Sequence, residues 1–157
     1  MIAWGSAEVR FVDFGVHAVR PRVFVVMQYG EPFDSLYREV IRPVAEDEGF
    51  SALRADDVDA PGVILEDIVD AIVESDVVVA EITPANPNVF YEVGYSHALR
   101  KPTILLARRP EEPGYRLPFD VSGYRCIFYD DAIRGKAEVE GKLRRHLANI
   151  RSGSVSA

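Results

Sequence analysis

Short apolar runs alternate with segments of helical periodicity along most of this chain. Residues 23–27 and 77–82 are almost continuously apolar, as expected for strands that are buried on both faces of a sheet. Residues 103–107 repeat the pattern, and residues 50–54 and 124–129 are weaker candidates. Because helix-length segments separate the runs, the sequence predicts a parallel sheet with helices on both faces.

The intervening segments predict the helices. Asp34 is a plausible N-cap for a helix over residues 35–48, which Gly49 ends. Further helices are predicted over residues 61–75, 88–99 and 133–150. Five strands in this arrangement predict an α/β, flavodoxin-like three-layer sandwich with strand order 2-1-3-4-5. In that order the loops after the first and third strands flank a ligand-binding crevice.

The length of 157 residues predicts a single domain. We assign residues 1–21 to an N-terminal extension with a possible edge strand, residues 22–151 to the α/β domain, and residues 152–157 to a disordered tail. The net charge of −7 argues against binding to nucleic acid polymers, which favour a basic surface. No apolar segment is long enough to cross a membrane, and no signal-peptide core is recognisable, so a cytoplasmic protein is expected.

Several familiar sites are missing from the sequence. There is no P-loop, no Gly-x-Gly-x-x-Gly after the first strand and no Gly-x-Ser-x-Gly. The three histidines lie far apart in sequence, so a metal site is not expected. No cofactor is expected either. Cys126 is the only cysteine, so no intrachain disulfide can form. It is predicted to be an inert, buried thiol. Of the histidines, only His97 lies near the site considered next, and the alternatives to a site role are helix packing and solvent contact.

Glu92 is the main candidate for a catalytic residue. It lies near the start of the helix that leaves the carboxyl end of the third strand, where open α/β sheets bind ligands. An acid among aromatic and small residues at this edge is a candidate nucleophile or base. The alternative is stabilisation by the helix dipole, which contributes about 0.3–1 kcal/mol. A capping box is excluded because Val89 occupies the position three residues earlier.

Other candidate substrate-binding residues surround this position, each with a structural alternative. Gln28 and Tyr29 end the first strand and suit contacts to a sugar or base, although loop packing explains them equally well. Asn86 and Asn88 flank a proline at a helix start. Asparagine is a favoured N-cap and proline is favoured at the first helical position, so these residues also have a structural explanation. Gly94 costs about 1 kcal/mol relative to alanine inside a helix. That cost suggests the close approach of a ligand or a neighbouring strand.

Two further acids are candidates for supporting roles. Glu66 lies beside the inner face of the helix before the third strand, which suggests partial burial, although a solvated helix acid is the commoner case. Glu81 lies within a strand that is expected to be buried, where an unpaired charge is expensive. It therefore either faces the crevice at the strand end or pairs with an arginine. A turn explains Asp56 and Asp57 after the second strand.

The segment VAEITPANPNVFYEVGY at residues 79–95, followed by ALRKP at 98–102, resembles the nucleoside 2-deoxyribosyltransferase superfamily. It is most similar to bacterial TIR-like relatives that carry an NPNVFYE-G signature. Weaker likeness at residues 24–27 and 118–120 extends it over residues 22–130. The resemblance implies that Glu92 is the nucleophile at the anomeric carbon of a sugar. It also implies that Glu66 assists the departing base and that Tyr29 lines the sugar pocket.

The resemblance implies cleavage or transfer at the N-glycosidic bond of a nucleoside, a nucleotide or NAD. A carboxylate stabilises or traps the oxocarbenium-like state of such reactions, and a second acid protonates a neutral leaving base. The nicotinamide of NAD is already cationic, so an acid partner for Glu92 would favour a neutral nucleoside or nucleotide, and a lone Glu92 would favour NAD. The alternative is a non-catalytic nucleotide-binding module or a TIR-like signalling and assembly module. A homo-oligomer is compatible with each of these hypotheses, because related transferases complete their sites with a neighbouring subunit.

Overall fold

A five-stranded parallel sheet organises the chain in the computed structural model, which describes residues 20–57, 64–110, 119–130 and 133–153. The strands are β1 (Arg22–Val26), β2 (Ser51–Arg54), β3 (Val77–Glu81), β4 (Thr103–Arg108) and β5 (Cys126–Tyr129). Their order is β2-β1-β3-β4-β5, and every pair is parallel, which confirms the predicted α/β topology. The predicted edge strand within residues 1–21 and the end of the predicted tail lie outside the described residues.

The helices connect these strands. They are α1 (Phe33–Leu36), α2 (Arg42–Asp47), α3 (Ile64–Glu74), α4 (Pro87–Ala98), α5 (Phe119–Ser122) and α6 (Ile133–Arg151). A π-helical segment, Tyr37–Ile41, joins α1 to α2, and a 3₁₀ turn, Ala55–Asp57, follows β2. The short helix α5 was not predicted from the sequence.

The predicted N-cap of the first helix is wrong. Helix α1 begins at Phe33 without a side-chain cap, and Asp34 lies inside its first turn. The reason is a distant partner: Oδ1 of Asp34 accepts a hydrogen bond from the Arg54 guanidinium at 2.8 Å. The predicted end is confirmed, because Gly49 follows α2 with a φ of +84°, a left-handed conformation that favours glycine.

Two apolar cores cover the two faces of the sheet. Val23 and Val25 of β1 pack on one face with residues of α6, including Leu143 and Leu147. The alternate residues of β1 and the α4 residue Val93 contribute to the core on the other face. This double burial explains why the strands are continuously apolar in sequence. The register pairs Val26 with Ala80, so the carboxyl ends of β1 and β3 lie side by side.

The remaining sequence predictions can be compared with the structure directly. Cys126 is partly buried and unpaired, and burial raises the pKa of its thiol to about 12, so the reactive thiolate is disfavoured. Within the described ranges, no helix is both long enough and apolar enough to cross a membrane. Strand β5 begins two residues later than predicted.

Candidate active site

A crevice of about 580 Å³ opens at the carboxyl edge of the sheet, between the end of β1 and the start of α4. This is the predicted switch point, where the strand order reverses and α/β proteins commonly bind ligands. Five of the predicted site residues line it: Gln28, Tyr29, Asn86, Asn88 and Glu92. The structure therefore brings together residues that are up to 64 positions apart in sequence.

Within the described part of the chain, Glu92 is the only charged residue that lines the crevice. Helix α4 presents it there from the second turn, and its side chain is partly buried. Burial raises the pKa of the carboxyl group from 4.5 to about 7 because the surroundings stabilise the charged form less than water does. Near neutral pH the carboxyl group of Glu92 therefore exists in both protonation states. Catalytic acids, bases and nucleophiles often have pKa values in this range.

The start of α4 is fixed by its N-cap residue and its first helical residue. The side chain of Asn86 accepts a hydrogen bond from the backbone N–H of Asn88 at 2.9 Å, and Pro87 occupies the first helical position. The structural interpretation of the Asn-Pro pair is therefore confirmed, and Asn86 also lines the crevice. The cap sets where the helix begins, and so where Glu92 projects.

Replacing Asn86 with alanine is expected to lower the free energy of unfolding by about 1 kcal/mol, the usual cost of a lost N-cap. Thermal denaturation followed by circular dichroism measures this change. Asn86→Asp is the matched control, because aspartate also accepts the capping hydrogen bond. An alanine variant as stable as the parent protein would show that the cap contributes nothing.

Tyr29 forms another wall of the crevice. Its side chain is 52 % exposed, and the Arg54 guanidinium lies 5.2 Å from the ring centroid. The pKa of its hydroxyl is raised by burial and then by the nearby charges of Asp56 and Glu92, so the group stays protonated as a hydrogen-bond donor. Tyr29 and Glu92 line the same crevice.

Glu81 is the last residue of β3 and is 1 % exposed, but it does not line the crevice. Its Oε1 accepts a hydrogen bond from the backbone N–H of Thr83 at 2.8 Å. Burial raises the pKa of this carboxyl to about 7, an effect that Thr83, Tyr129 and the charge of Arg108 reduce. Glu81 therefore lies at the end of its strand, as one of the two sequence-based alternatives requires, but it does not line the crevice.

Glu66 and Gly94 lie away from the crevice lining. Glu66 is exposed on α3, so the expected partial burial is wrong. A Cβ added to Gly94 would meet no atom within 4 Å, which excludes the predicted close approach of a neighbouring strand. The assisting role of Glu66 and a ligand contact at Gly94 stay predictions.

His97 packs against an aromatic ring and does not line the crevice. Its ring stacks on that of Tyr124 with centroids 3.9 Å apart and an interplanar angle of 15°. Across the part of the chain that the structure describes, no group of three or more His, Cys, Asp or Glu residues is arranged to hold a metal ion.

Two residues near the crevice were not singled out from the sequence. Tyr91 of α4 lines the crevice and is 57 % exposed. Arg54, at the end of β2, is only 5 % exposed and binds the carboxylates of Asp34 and Asp56. The sequence does contain a signal for the ion pair of Arg54, because two aspartates, Asp56 and Asp57, follow it closely. These aspartates were interpreted as turn residues alone. Both aspartates do lie in the 3₁₀ turn after β2.

Solved structures of several proteins share this fold. The CMP N-glycosidase BcmB of Clostridium botulinum superposes with a TM-score of 0.60 at 23 % identity, covering 80 % of this chain and 98 % of that chain. A 2-deoxyribosyltransferase of Bacillus psychrosaccharolyticus gives 0.54 at 14 % identity, with 70 % and 86 % covered. The TIR domain of a Toll-related receptor of Hydra magnipapillata gives 0.59 at 20 % identity, with 82 % and 97 % covered.

Neither a family model nor a curated protein sequence matches the chain. At the identities found, the structural similarity establishes the shared α/β fold, and function has to be argued from the site itself.

Proposed function

We propose that this protein is an enzyme that cleaves, or transfers at, the N-glycosidic bond of a nucleoside, a nucleotide or NAD. The observation that carries the proposal is Glu92, a partly buried carboxyl group with a pKa of about 7 inside the crevice at the strand switch point. Two proteins of the same fold, a CMP N-glycosidase and a 2-deoxyribosyltransferase, support this choice of bond.

Glu92 would act on the anomeric carbon of the sugar. As the C1′–N bond breaks, its electron pair goes to the departing base and positive charge develops on the sugar. The Glu92 carboxylate stabilises this oxocarbenium-like state or bonds to C1′, and water or a second acceptor then completes the reaction. Tyr29 and Asn88, which line the same crevice, would position the sugar or base.

The surroundings of Glu92 favour a base that leaves without being protonated. Among the crevice-lining residues in the described part of the chain, Glu92 is the only carboxyl group. Neither proposed assisting acid lines the crevice: Glu66 is exposed on α3, and Glu81 is the buried last residue of β3. NAD, whose nicotinamide departs as a neutral molecule, is therefore the first substrate to test.

The test is base release from a substrate panel, measured by liquid chromatography and mass spectrometry. The panel contains NAD, nucleoside monophosphates and deoxynucleosides, each with and without a second base as acceptor. Release of a base establishes the proposed reaction, and the responding compound defines the substrate class. Binding of a nucleotide without turnover across the panel would contradict the proposal and favour a binding module. Concentration-dependent light scattering would identify the assembly alternative.

The rate of base release is expected to rise with pH around a midpoint near 7. The carboxylate of Glu92 is the active form, and its pKa of about 7 sets the fraction that is ionised. The measurement is kcat/KM between pH 5 and 9, in buffers of constant ionic strength. A rate that is already maximal at pH 5.5 would show that Glu92 has an ordinary pKa or does not act as a base or nucleophile.

A further inference from the structure

Arg54 lies at the centre of a polar cluster beside the crevice. Its Nε and Nη2 donate to the two carboxylate oxygens of Asp56 at 2.6 and 2.5 Å, and its Nη1 donates to Asp34 at 2.8 Å. The guanidinium is therefore held in a fixed plane by carboxylates on two separate segments. A bidentate pair of this kind fixes orientation as well as charge.

This held guanidinium lies over two tyrosine rings. The Cζ atom of Arg54 lies 5.2 Å from the centroid of the Tyr29 ring and 4.6 Å from that of Tyr37. Both distances are within the range of cation–π attraction. Tyr37 is itself anchored, because its hydroxyl donates to Asp57 and its side chain is buried.

Tyr29 has much less support of its own. It follows β1 in a loop, is 52 % exposed, and has the crevice on one side. The orientation of such a ring depends on the groups that lie over its face, and the Arg54 guanidinium is one of them. Arg54 does not itself line the crevice.

We propose that Arg54 is a positioning residue of the candidate site, which fixes the ring of Tyr29 in the crevice near Glu92. The carboxylates of Asp34 and Asp56 hold the guanidinium in place through hydrogen bonds, and the guanidinium orients the Tyr29 ring by cation–π attraction. The effect of Arg54 on turnover rests on the proposed function, because it assumes that Tyr29 contacts the sugar or base. The effect of Arg54 on the orientation of the Tyr29 ring does not depend on that function. The two effects are therefore measured separately.

The first measurement uses the free protein. In NMR spectra, Tyr29 is assigned by comparison with Tyr29→Phe, and its ring protons are expected to show nuclear Overhauser effects to the Arg54 side chain. Arg54→Lys is expected to abolish these contacts and to shift the Tyr29 ring signals, because lysine lacks the planar fork. Arg38→Lys is the matched control, since Arg38 is paired with Glu31 but has a 62 % exposed side chain. Tyr29 signals unchanged in Arg54→Lys would overturn the proposal.

The second measurement is a double-mutant cycle on kcat/KM for the substrate that responds. Arg54→Lys is expected to lower kcat/KM by about tenfold to a hundredfold, as misplacement of a positioning group does. Tyr29→Ala should cause a similar loss, and the double variant should lose no more than Tyr29→Ala alone. Losses that multiply in the double variant would show that Arg54 does not act through Tyr29, and would overturn the proposal.

Asp56→Asn provides the second route if Arg54→Lys does not fold. It removes the charge from one carboxylate while leaving the buried arginine in place, and Asp56 has a 44 % exposed side chain. The same shift of the Tyr29 ring signals is expected, at a smaller amplitude. Absence of turnover in the parent protein would contradict the proposed function, and the NMR comparison would still decide whether Arg54 holds the ring.

Discussion

Replacement of Glu92 by glutamine is expected to lower kcat for base release by about a thousandfold or more, the scale seen when a nucleophile or its activating group is removed. Glutamine has almost the same size as glutamate and suits the same position on α4. It cannot carry the negative charge that stabilises an oxocarbenium-like state, nor can it bond to C1′ as a carboxylate does. Base release by the parent protein and the variant, measured at pH 8, tests this expectation.

Two matched variants make the comparison specific. Glu46→Gln removes a carboxylate that is paired with Arg42 on the protein surface, and it should leave the rate unchanged. Glu66→Gln tests the assisting acid that the family resemblance implies, and a tenfold or larger loss would support that role. A Glu92→Gln variant that keeps more than a tenth of the parent rate would show that Glu92 is a ligand contact or a structural residue.

The sheet was predictable because its signal is local. A strand buried on both faces needs a continuous apolar run, and residues 77–82 or 103–107 have that character whatever surrounds them. The predicted strand order is that of the flavodoxin-like arrangement, which is common for five such units. The grouping of Tyr29 with Glu92 follows in turn, because both come just after strands whose carboxyl ends meet at one edge of the sheet.

Features that depend on distant partners were not predictable in the same way. Aspartate is a favoured N-cap residue, but Asp34 accepts a hydrogen bond from Arg54, twenty residues away. Nothing in the local sequence indicates this long-range pair. Gly94 carries a helix-propensity cost that suggested a neighbouring strand, but its surroundings are open. Likewise, the exposure of Glu66 depends on how α3 sits on the sheet, which periodicity alone does not define.

The stability of the protein is expected to depend on pH through Glu92. Below pH 4.5 this carboxyl is protonated in both the folded and the unfolded chain. As the pH rises, the unfolded chain releases the proton at about 4.5, whereas the folded protein keeps it until about 7. Unfolding therefore releases a proton in this window, and the contribution of Glu92 to the free energy of unfolding falls as the pH rises.

The shift of the Glu92 pKa from 4.5 to about 7 corresponds to about 3.4 kcal/mol, and the partial exposure of the side chain reduces this effect. Glu92→Gln is therefore expected to be more stable than the parent protein at pH 8 by about 2–3 kcal/mol. For a chain of this length that corresponds to a rise in Tm of about 5–10 °C. The measurement is thermal denaturation of both proteins at half-unit steps from pH 4 to 8.5. Glu46→Gln again serves as the control, and its Tm should follow that of the parent protein at every pH.

The difference between the two melting curves isolates Glu92 from the other titrating groups. Burial lowers the pKa of His97 and His146, so their contribution to stability rises with pH and opposes that of Glu92 in the parent protein. Glu81, whose pKa is also raised to about 7, acts in the same direction as Glu92. These contributions are common to both proteins and cancel in the difference in stability between Glu92→Gln and the parent protein. That difference should be near zero at pH 4 and level off above pH 7.

A difference in stability that does not change with pH would mean that the Glu92 carboxyl is not held in a desolvated state. A difference that grows as predicted, together with loss of base release, would show that the protein sacrifices stability at Glu92 for chemistry.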